Sequence, residues 1–425
     1  MKIWLVTIGE PIPHEQNKLR MHRTGILAKF ASEKSSHNII WWTSDFNHFT
    51  KESIFNKDHS FVVNKQLTVI TLNGGGYQRN VSIDRIKDHK RISDKFRTFS
   101  KNESAPDIII AAFPTLGLCE EVLRYGKKNN IPVLIDYRDM WPEVFVDIVP
   151  GFMKFFVRKC LFRLFQKSNK VFEKATGIIG ITDEFLRLAL VKAGRKKNEF
   201  DAVFPLAYLR NQYTGEELTQ ANRFWEAILN QEQSKLRICF FGTLGHQFDL
   251  DTIITAVEML NTEGISSFEI VLCGTGDKES RLRDAASRLK GLIIPGYMDA
   301  AQIAALLSVS DIGLCPYNVN KAFLSSIPGK AIEYISAGLP LLSTLGDGDL
   351  GKLTMQYQIG FNYEFQNPAS LAEAIKMLLN KKVELKEMRS RILNLFESDF
   401  DGEKVYAAYL SHAEFVVKNF RNNER

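Results

Sequence analysis

Short apolar runs alternate with helix-like segments twice along the chain, and this alternation constrains the fold more than any other feature. The runs of the first half read KIWLVTI, NIIWWTS, LTVITL, DIIIAAF, PVLIDY and GIIGIT. The pattern restarts with LRICFFG, EIVLCG, LIIPGY, DIGLCPY and LPLLST, and helices are predicted over residues 250–261, 279–290 and 300–307. Continuous apolar strands that alternate with helices are typical of parallel sheets covered on both faces. The sequence therefore predicts an α/β protein with two doubly wound, Rossmann-like domains.

The chain length agrees with two domains. At 425 residues the chain exceeds the size at which a single hydrophobic core normally splits. Residues 211–234 are polar and carry no strand signal, so we interpret them as the linker region. The predicted N-terminal domain then covers residues 1–210 and the C-terminal domain residues 235–400. Residues 401–425 are expected to form a helix that returns to the N-terminal domain.

Composition narrows the class of protein. A content of 45% hydrophobic and 24% charged residues is ordinary for a soluble globular chain, and the net charge of +6 does not by itself indicate a nucleic-acid partner. The five cysteines show neither a disulfide framework nor a zinc-binding pattern. The first apolar run is too short for a signal peptide and is interpreted as a buried strand. We expect a cytoplasmic protein.

The segment 325–340, SSIPGKAIEYISAGLP, carries the clearest functional signal. It places Lys330 and Glu333 at the start of a predicted helix, directly after a Pro-Gly turn. Helix-start amides and a lysine suit a diphosphate, and a glutamate carboxylate suits the hydroxyl groups of a ribose. The alternative is an ordinary turn and amphipathic helix ending at Gly338, with Lys330 as a solvated lysine.

The pattern S-x-P-x-K-x-x-E-Y-x-x-x-G-x-P in this segment resembles the donor-binding segment of retaining glycosyltransferases of family four, which have the GT-B fold. In that family two glutamates separated by seven residues contact the donor. Glu333 matches the second glutamate, which contacts the ribose, whereas Ser325 replaces the first, which usually contacts the transferred sugar. The resemblance implies two domains that face a central cleft, and it supports nucleotide binding better than any particular hexose.

Glycine-containing turns in the second half extend the resemblance. Gly242 and Gly245 follow one predicted strand, and Gly274 and Gly276 follow the next, where a missing side chain lets backbone approach a phosphate. Tyr297, in the sequence PGY, is similar to the family segment that lies against the nucleobase. The alternative for each turn is glycine used only for close packing of an α/β sheet.

The cations of the family's donor site are partly replaced in this chain. Many members carry an arginine directly after the first turn glycine, where this sequence has Thr243. A lysine usually follows a few residues later, and its neighbourhood here reads His246, Gln247 and Phe248. The comparison leaves Lys330 as the predicted catalytic cation that stabilises the departing diphosphate.

The segment IDYRDMWPE, residues 135–143, carries the main functional signal of the first half. It is similar to a segment of a family-four subgroup that acts on bacterial surface polysaccharide, O-antigen or capsule, including transferases of the N-acetylfucosamine type. Arg138 and Asp139 are therefore candidate catalytic residues, and Arg138 is also a candidate for binding an acceptor phosphate. The alternative is a structural ion-pair cluster in which Asp136 and Asp139 hold Arg138.

The loop after the first strand supplies further candidates for acceptor binding. In the family this loop lines the cleft and helps to choose the acceptor. The candidates are Gly9, Glu10, Arg20 and Arg23, of which the two arginines suit an anionic lipid-linked acceptor. The alternative is that these arginines lie near the start of a helix and face solvent without binding a ligand.

Residues 151–175 combine phenylalanines with lysines and arginines at helical spacing. A phenylalanine-rich face suits the headgroup region of a membrane, with Lys154, Arg158, Lys159 and Arg163 meeting anionic lipid. The segment predicts attachment to the cytoplasmic face of the inner membrane. The alternative is a long helix that packs its phenylalanines on the sheet.

The resemblance implies a retaining, hexosyltransferase-type enzyme of lipopolysaccharide, O-antigen or capsule synthesis. Its expected donor is a UDP-sugar, with an N-acetylated hexosamine or 6-deoxyhexosamine, and its expected acceptor is a polyprenyl-diphosphate-linked saccharide. No metal or other cofactor is expected, because we identify no Asp-x-Asp dyad of the sort that holds a divalent ion with a nucleotide in the other glycosyltransferase fold. No nucleic acid is expected as a partner. The alternatives are a UDP-sugar 2-epimerase of the same fold and a non-catalytic nucleotide-sugar-binding partner.

Overall fold

The computed structural model describes residues 1–14, 21–48, 50–79, 82–147, 149–210, 213–229 and 235–422. The chain divides into two compact units. The first contains Met1–Pro205 together with Glu403–Arg425, and the second contains Leu206–Gly402. The C-terminal helix of the chain, from Gly402 to Asn422, thus belongs almost entirely to the first unit.

The described residues of the first unit form the strands β1 Lys2–Val6, β2 Asn38–Ser44, β3 Phe46–Asn47, β4 Glu52–Ser53, β5 His59–Asn64, β6 Leu67–Leu72, β7 Ile108–Phe113, β8 Val133–Tyr137, β9 Gly177–Gly180 and β10 Ala202–Val203. Its helices are α1 Arg23–Lys34, α2 Ile83–Phe99, α3 Leu116–Asn129, α4 Val144–Asp147, α5 Gly151–Cys160, α6 Phe162–Lys174 and α7 Asp183–Ala193, with α17 Gly402–Asn422 from the end of the chain.

One eight-stranded sheet, in the order β10-β9-β8-β7-β1-β2-β6-β5, forms the centre of this unit. All neighbouring strands are parallel except β5, which runs antiparallel to β6. The six apolar runs of the first half all became strands of this sheet, because both faces are covered and the side chains of both faces must be apolar. Trp4 and Trp42 pack edge to face in its core, with ring centroids 5.3 Å apart.

The sequence pattern missed the edge strand β5. None of its residues HSFVVN is buried, and Val62 is 71% exposed. An edge strand with one wet face carries no continuous apolar run, so the signal used for the buried strands is absent there.

The second unit follows the same plan. Its strands are β11 Leu236–Phe241, β12 Phe268–Cys273, β13 Leu292–Gly296, β14 Ile312–Cys315, β15 Leu341–Ser343 and β16 Gly360–Asn362. Its helices are α8 Gly215–Ile228, α9 Leu250–Thr262, α10 Glu279–Arg288, α11 Ala300–Ser308, α12 Lys321–Leu324, α13 Gly329–Ser336, α14 Asp349–Tyr357, α15 Pro368–Leu379 and α16 Lys382–Leu395, followed by a π-helical turn at Phe396–Phe400.

These six strands form a fully parallel sheet in the order β13-β12-β11-β14-β15-β16. The three helices predicted from periodicity correspond to α9, α10 and α11. Asp299 accepts a hydrogen bond from Gln302 N at 2.8 Å and thereby fixes the start of α11. Since all strands are parallel, the turns that follow them meet at one edge, the carboxyl edge of the sheet.

The interpretation of residues 211–234 as a linker region is not supported by the structure. Helix α8 occupies most of the segment, and Thr214 and Glu217 form a capping box at its start. Trp225 is 2% exposed and donates a hydrogen bond to Gln302 O at 2.7 Å, so α8 packs within the second unit. The T-x-x-E spacing is typical of a helix start, but the polar composition of the segment led to its interpretation as a linker.

Residues 151–175 form two helices, α5 and α6, that meet at Leu161. Helix α6 buries Val171 and Phe172, whereas α5 buries none of its residues. In the part of the chain that the structure describes, no helix is both long enough and apolar enough to cross a membrane.

Candidate functional site

The turns after β11 and β12 pack backbone against backbone at the carboxyl edge of the second sheet. Gly242 N donates to Cys273 O at 2.9 Å, and Leu244 N donates to Thr275 O at 2.8 Å. A Cβ atom on Gly274 would collide with Gly242 O. Close packing of the two turns is therefore enough to explain a glycine at position 274, in agreement with the alternative stated from the sequence. The same packing places the polar backbone groups of both turns side by side.

Lys330 lies directly over the first of these turns. Helix α13 begins after Pro328, and the side chain of Lys330 extends back from its first turn. A Cβ atom on Gly242 would collide with Lys330 Cε and lie 2.8 Å from Nζ. A side chain here would displace the end of the lysine, and Gly242 has φ of +148°, a conformation that favours glycine. The structure thus brings together the turn glycine and the cation that the sequence identified separately.

The ring of Phe248 lies under the ammonium group of Lys330. Lys330 Nζ is 5.1 Å from the ring centroid, a distance at which a cation is attracted to an aromatic face. Phe248 is 1% exposed and packs on Phe240 and Tyr317, with centroid distances of 4.9 and 5.0 Å. The ring is therefore fixed in place and helps to position the lysine.

Phe248 is a residue that the sequence interpretation missed. It appeared there as part of a departure from the family's cation pattern. The signal that would have found it is an aromatic residue placed a few positions after the turn glycine, before helix α9 begins at Leu250.

Glu333 follows Lys330 by three positions on α13, so both side chains emerge on the same side of the helix. The helix itself is held by the next residue, Tyr334, which is fully buried and packs edge to face on Phe241 with centroids 5.2 Å apart. The predicted orientation of Glu333 toward a ribose remains a prediction.

The remaining predicted donor residues have different exposures. Thr243 is exposed and Gly245 is buried beside Gly242. Tyr297, after β13, is 65% exposed, as a residue that stacks on a nucleobase needs to be. Ser325, at the end of α12, is 7% exposed. Gly276 has φ of +152° and lies against Leu244 O.

A buried network of charges occupies the carboxyl edge of the first sheet. Arg138 Nη1 donates to Glu10 Oε1 at 2.5 Å, and Arg138 Nε and Nη2 donate to Asp136 Oδ2 at 2.9 and 2.7 Å. Arg23 Nε donates to the same Asp136 oxygen at 3.1 Å. Burial alone would raise the pKa of Asp136, but the guanidinium groups of Arg138 and Arg23 hold it below the usual value.

This network changes the interpretation of two arginines. The second carboxylate partner of Arg138 is Glu10, in place of the expected Asp139. Arg23 is 5% exposed, and its other two nitrogens donate to Pro205 O at 2.5 Å and Phe204 O at 2.9 Å. Both its charge and its nitrogens are engaged inside the first unit, so we correct the acceptor-binding prediction for Arg23 to a structural role.

Glu10 also anchors the start of α1. Its carboxylate accepts hydrogen bonds from Thr24 N at 2.9 Å and from Thr24 Oγ1 at 2.7 Å. A carboxylate at a helix start satisfies amides that have no partner within the helix. These contacts favour a positioning role for Glu10 over direct acceptor binding.

Three other predicted residues of the first unit have different surroundings. Gly9 has φ of +82° and lies near His48, whose Cβ would be 3.9 Å from a Cβ added to the glycine. Asp139 is exposed at the end of β8, although desolvation by the surrounding protein raises the pKa of its carboxyl group. Arg20 lies outside the described residues.

Comparisons with known proteins agree with the observed fold and find a family match within the second unit. Residues 222–394 match the family "Glycosyl transferases group 1". A search of curated proteins found no significant match. Several solved structures are similar over almost their whole length, although their sequence identities are low enough to inform about the fold alone.

Sucrose-phosphate synthase from Thermosynechococcus elongatus superimposes with a TM-score of 0.73 at 13% identity, covering 98% of this chain and 99% of that chain. Anabaena HepE, solved in complex with UDP-glucose, gives a TM-score of 0.61 at 14% identity, with 97% and 99% covered. WaaG, a glycosyltransferase involved in lipopolysaccharide biosynthesis, gives 0.63 at 12% identity, with 96% and 98% covered. The chain therefore has the α/β fold of GT-B glycosyltransferases, and residues 222–394 form a glycosyl transferases group 1 domain.

Proposed function

We propose that this protein transfers a sugar from a UDP-activated donor to a lipid-linked saccharide, with retention of anomeric configuration. The observation that carries the proposal is the position of Lys330, whose ammonium group is held over the Gly242 turn at the start of α13. A group 1 domain over the same residues and the UDP complexes of HepE support a nucleotide-sugar donor.

The arrangement provides what a departing diphosphate requires. Cleavage of the bond between sugar and phosphate leaves additional negative charge on the diphosphate. Lys330 and the first amides of α13 place positive charge and dipoles at one point, and they are fixed before the reaction starts. Glu333 would bind the ribose hydroxyl groups, and Tyr297 would stack on the uracil.

Front-face attack assisted by the leaving diphosphate requires no nucleophile from the protein. In this mechanism Arg138 positions the carboxylates of Glu10 and Asp136. Because Glu10 binds the start of α1, Arg138 also helps to position that helix. Asp139, which is exposed, stays the catalytic candidate of the first unit, and Gly9 stays a candidate for acceptor binding. That no metal takes part remains a prediction.

The lipid-linked acceptor and the membrane location find support in helix α5. Phe152, Phe155 and Phe156 are 86%, 79% and 66% exposed, and Phe162 just beyond the helix is 58% exposed. Lys154, Arg158, Lys159 and Arg163 are exposed beside them. The alternative was that the phenylalanines pack on the sheet. Phe172 of α6 is buried in this way, but the phenylalanines of α5 are exposed. Such a surface suits the headgroup region of an anionic membrane on the cytoplasmic side.

The test is a panel of UDP-sugars incubated with the protein and a membrane lipid extract, with mass spectrometry of the products. We expect one donor to lose its sugar to a lipid-linked product, and an N-acetylated hexosamine or 6-deoxyhexosamine is the expected sugar in an O-antigen or capsule pathway. An isomerised UDP-sugar without acceptor would instead indicate a 2-epimerase. Binding of UDP without any product would indicate a non-catalytic partner.

A further inference from the structure

Tyr77 is the centre of a cluster of basic side chains at the carboxyl edge of the first sheet. His48 Nδ1 lies 2.7 Å from Tyr77 Oη, and the Tyr77 and His89 ring centroids are 6.2 Å apart. Lys51 Nζ and Arg85 Cζ lie 5.0 and 5.5 Å from the centroid of the Tyr77 ring. We call His48, Lys51, Tyr77, Arg85 and His89 the Tyr77 cluster.

Three separate segments build the Tyr77 cluster. His48 and Lys51 belong to the short hairpin of β3 and β4 that follows β2, Tyr77 follows β6, and the other two residues lie on α2. Tyr77 is only 7% exposed and packs on Phe46, with ring centroids 4.7 Å apart. The tyrosine is therefore a fixed platform, and the basic groups around it are partly exposed.

Positive charge is concentrated in the Tyr77 cluster. Burial, followed by repulsion from Lys51 and Arg85, lowers the pKa of His48 to about 4. Burial and Arg85 likewise lower the pKa of His89 to about 4, and the same two causes lower the pKa of Lys51. Both imidazoles are thus neutral near pH 7 and can donate N–H hydrogen bonds to an anion that the two cations attract.

Two carboxylates of the described residues lie near the Tyr77 cluster. Asp88 is 2% exposed and accepts a hydrogen bond from Gly76 N at 2.8 Å. Asp139, the exposed residue after β8, is close enough to Arg85 for the arginine to lower the pKa of its carboxyl, against the stronger raising effect of desolvation. The Tyr77 cluster therefore adjoins the predicted catalytic residue Asp139 and, through His48, the predicted acceptor-binding residue Gly9.

Backbone strain gives a second, independent indication of function. Lys51 has φ of +62°, a left-handed conformation that is uncommon for residues other than glycine. Such conformations cost free energy, and they persist at sites where the surrounding structure holds a functional side chain. Lys51 N donates to Asn47 O at 2.9 Å, which closes the turn and directs the lysine toward Tyr77.

We propose that the Tyr77 cluster binds a phosphate group of the acceptor substrate. A phosphate presents several acceptor oxygens and up to two negative charges, which match the Lys51 ammonium, the Arg85 guanidinium and the imidazole N–H groups. Gly9 lets a ligand approach the backbone beside His48. The inference rests on the proposed transferase function and assigns the recognition of the acceptor phosphate to residues of the first unit.

Two sources of phosphate fit this chemistry, a lipid diphosphate and a phosphorylated sugar. Titrations of the full chain, saturated with UDP, with inorganic pyrophosphate, farnesyl diphosphate and glucose 1-phosphate distinguish them. We expect pyrophosphate to bind and to raise the apparent pKa of His48 and His89 in an NMR titration, because added negative charge stabilises the imidazolium forms. Farnesyl diphosphate binding more tightly than glucose 1-phosphate would identify the lipid diphosphate as the source.

Variants locate the binding. Lys51→Met and Arg85→Gln are each expected to weaken pyrophosphate binding about tenfold, the effect of losing one charge-assisted contact. Lys65→Met, which removes an exposed lysine between β5 and β6, is the matched control and keeps wild-type affinity. Equal affinities in all three variants, or unchanged resonances of both histidines, would overturn the site.

Failure of this inference is distinguishable from failure of the proposed function. If sugar is transferred and both Lys51→Met and Arg85→Gln retain the wild-type acceptor KM, the phosphate site is wrong and the transferase proposal stands. If no sugar is transferred from any donor while the two variants lose pyrophosphate affinity, the site stands as an anion site and the transferase proposal is wrong.

Discussion

The ammonium nitrogen of Lys330 lies 5.1 Å from the centroid of the Phe248 ring, which is buried under it. The lysine therefore has a fixed position before any donor binds. Because a preorganised charge requires no rearrangement during a reaction, we expect it to stabilise a departing diphosphate more than a mobile surface lysine would.

Removal of Lys330 tests this role directly. We expect Lys330→Ala to lower kcat about 10²- to 10³-fold, the usual effect of deleting one group that stabilises charge in a transition state. Steady-state kinetics with the identified donor measure it. Lys352→Ala, at an exposed lysine of α14, is the control. Near-normal turnover of Lys330→Ala would reject the catalytic role.

Replacement of Phe248 tests the positioning of the lysine. Phe248→Leu keeps an apolar side chain in the core but removes the aromatic face, and we expect kcat to fall about 2- to 30-fold, the range for a cation–π contact. The same replacement in the Lys330→Ala background should change kcat little. A double-mutant cycle measures the coupling, and independent effects of the two substitutions would show that Phe248 acts only through packing.

Arg23 is expected to affect stability rather than acceptor recognition. Arg23→Ala removes one guanidinium from the buried carboxylate of Asp136, and we expect a loss of about 3–5 kcal/mol in the free energy of unfolding. Urea unfolding measures it, with Lys29→Ala on the exposed side of the same helix as control. A raised acceptor KM with unchanged stability would restore the acceptor-binding role.

The same network predicts a dependence of stability on pH. The pKa of Asp136 is lowered in the folded state, so its contribution is present above its unfolded value of about 3.9 and is lost as pH falls through the folded value. Unfolding curves between pH 7 and pH 3 should show wild type losing stability below about pH 4. Because Arg23→Ala weakens the interaction, the variant should lose less over this interval. Parallel curves for the two proteins would contradict the assignment.

Helix α5 is expected to bind anionic vesicles. Phe155→Ser and Phe156→Ser should each weaken co-sedimentation with such vesicles about tenfold or more, because each removes about 1.5–3 kcal/mol of apolar burial. Val383→Ser, at a residue that is 73% exposed in the second unit, is the control and should bind as wild type does. Binding that is indifferent to anionic lipid and to both phenylalanine substitutions would remove the membrane proposal.

The order of apolar runs predicted six strands of the first sheet and five of the second, since burial on two faces requires uninterrupted apolar strands. The same pattern could not predict β5, which has a wet face, or helix α8, whose polar composition suggested a linker. Both elements are partly exposed and contain polar as well as apolar residues, so their composition alone does not distinguish them from loops.

The site was predicted in part. The sequence identified Lys330 and Gly242 as candidates, but their contact joins positions of two different turns and is visible only in the folded chain. Glu10 and Arg138, which form an ion pair, are 128 positions apart, and Arg23 and Asp136 are 113 apart. No local spacing reports such pairs, so the sequence left open whether these charges were buried partners or ligand contacts.

By itself, the sequence determined where the buried central strands form, where the glycine turns lie and which cation follows the Pro-Gly turn, because these depend on local periodicity and backbone conformation. Only the tertiary structure decided which charges neutralise one another, that Phe248 supports Lys330, and that the phenylalanines of α5 face outward. Those outcomes depend on which side chains, distant in sequence, the fold brings within a few ångströms of one another. The free energy of burying a charged or aromatic side chain is set by these neighbours.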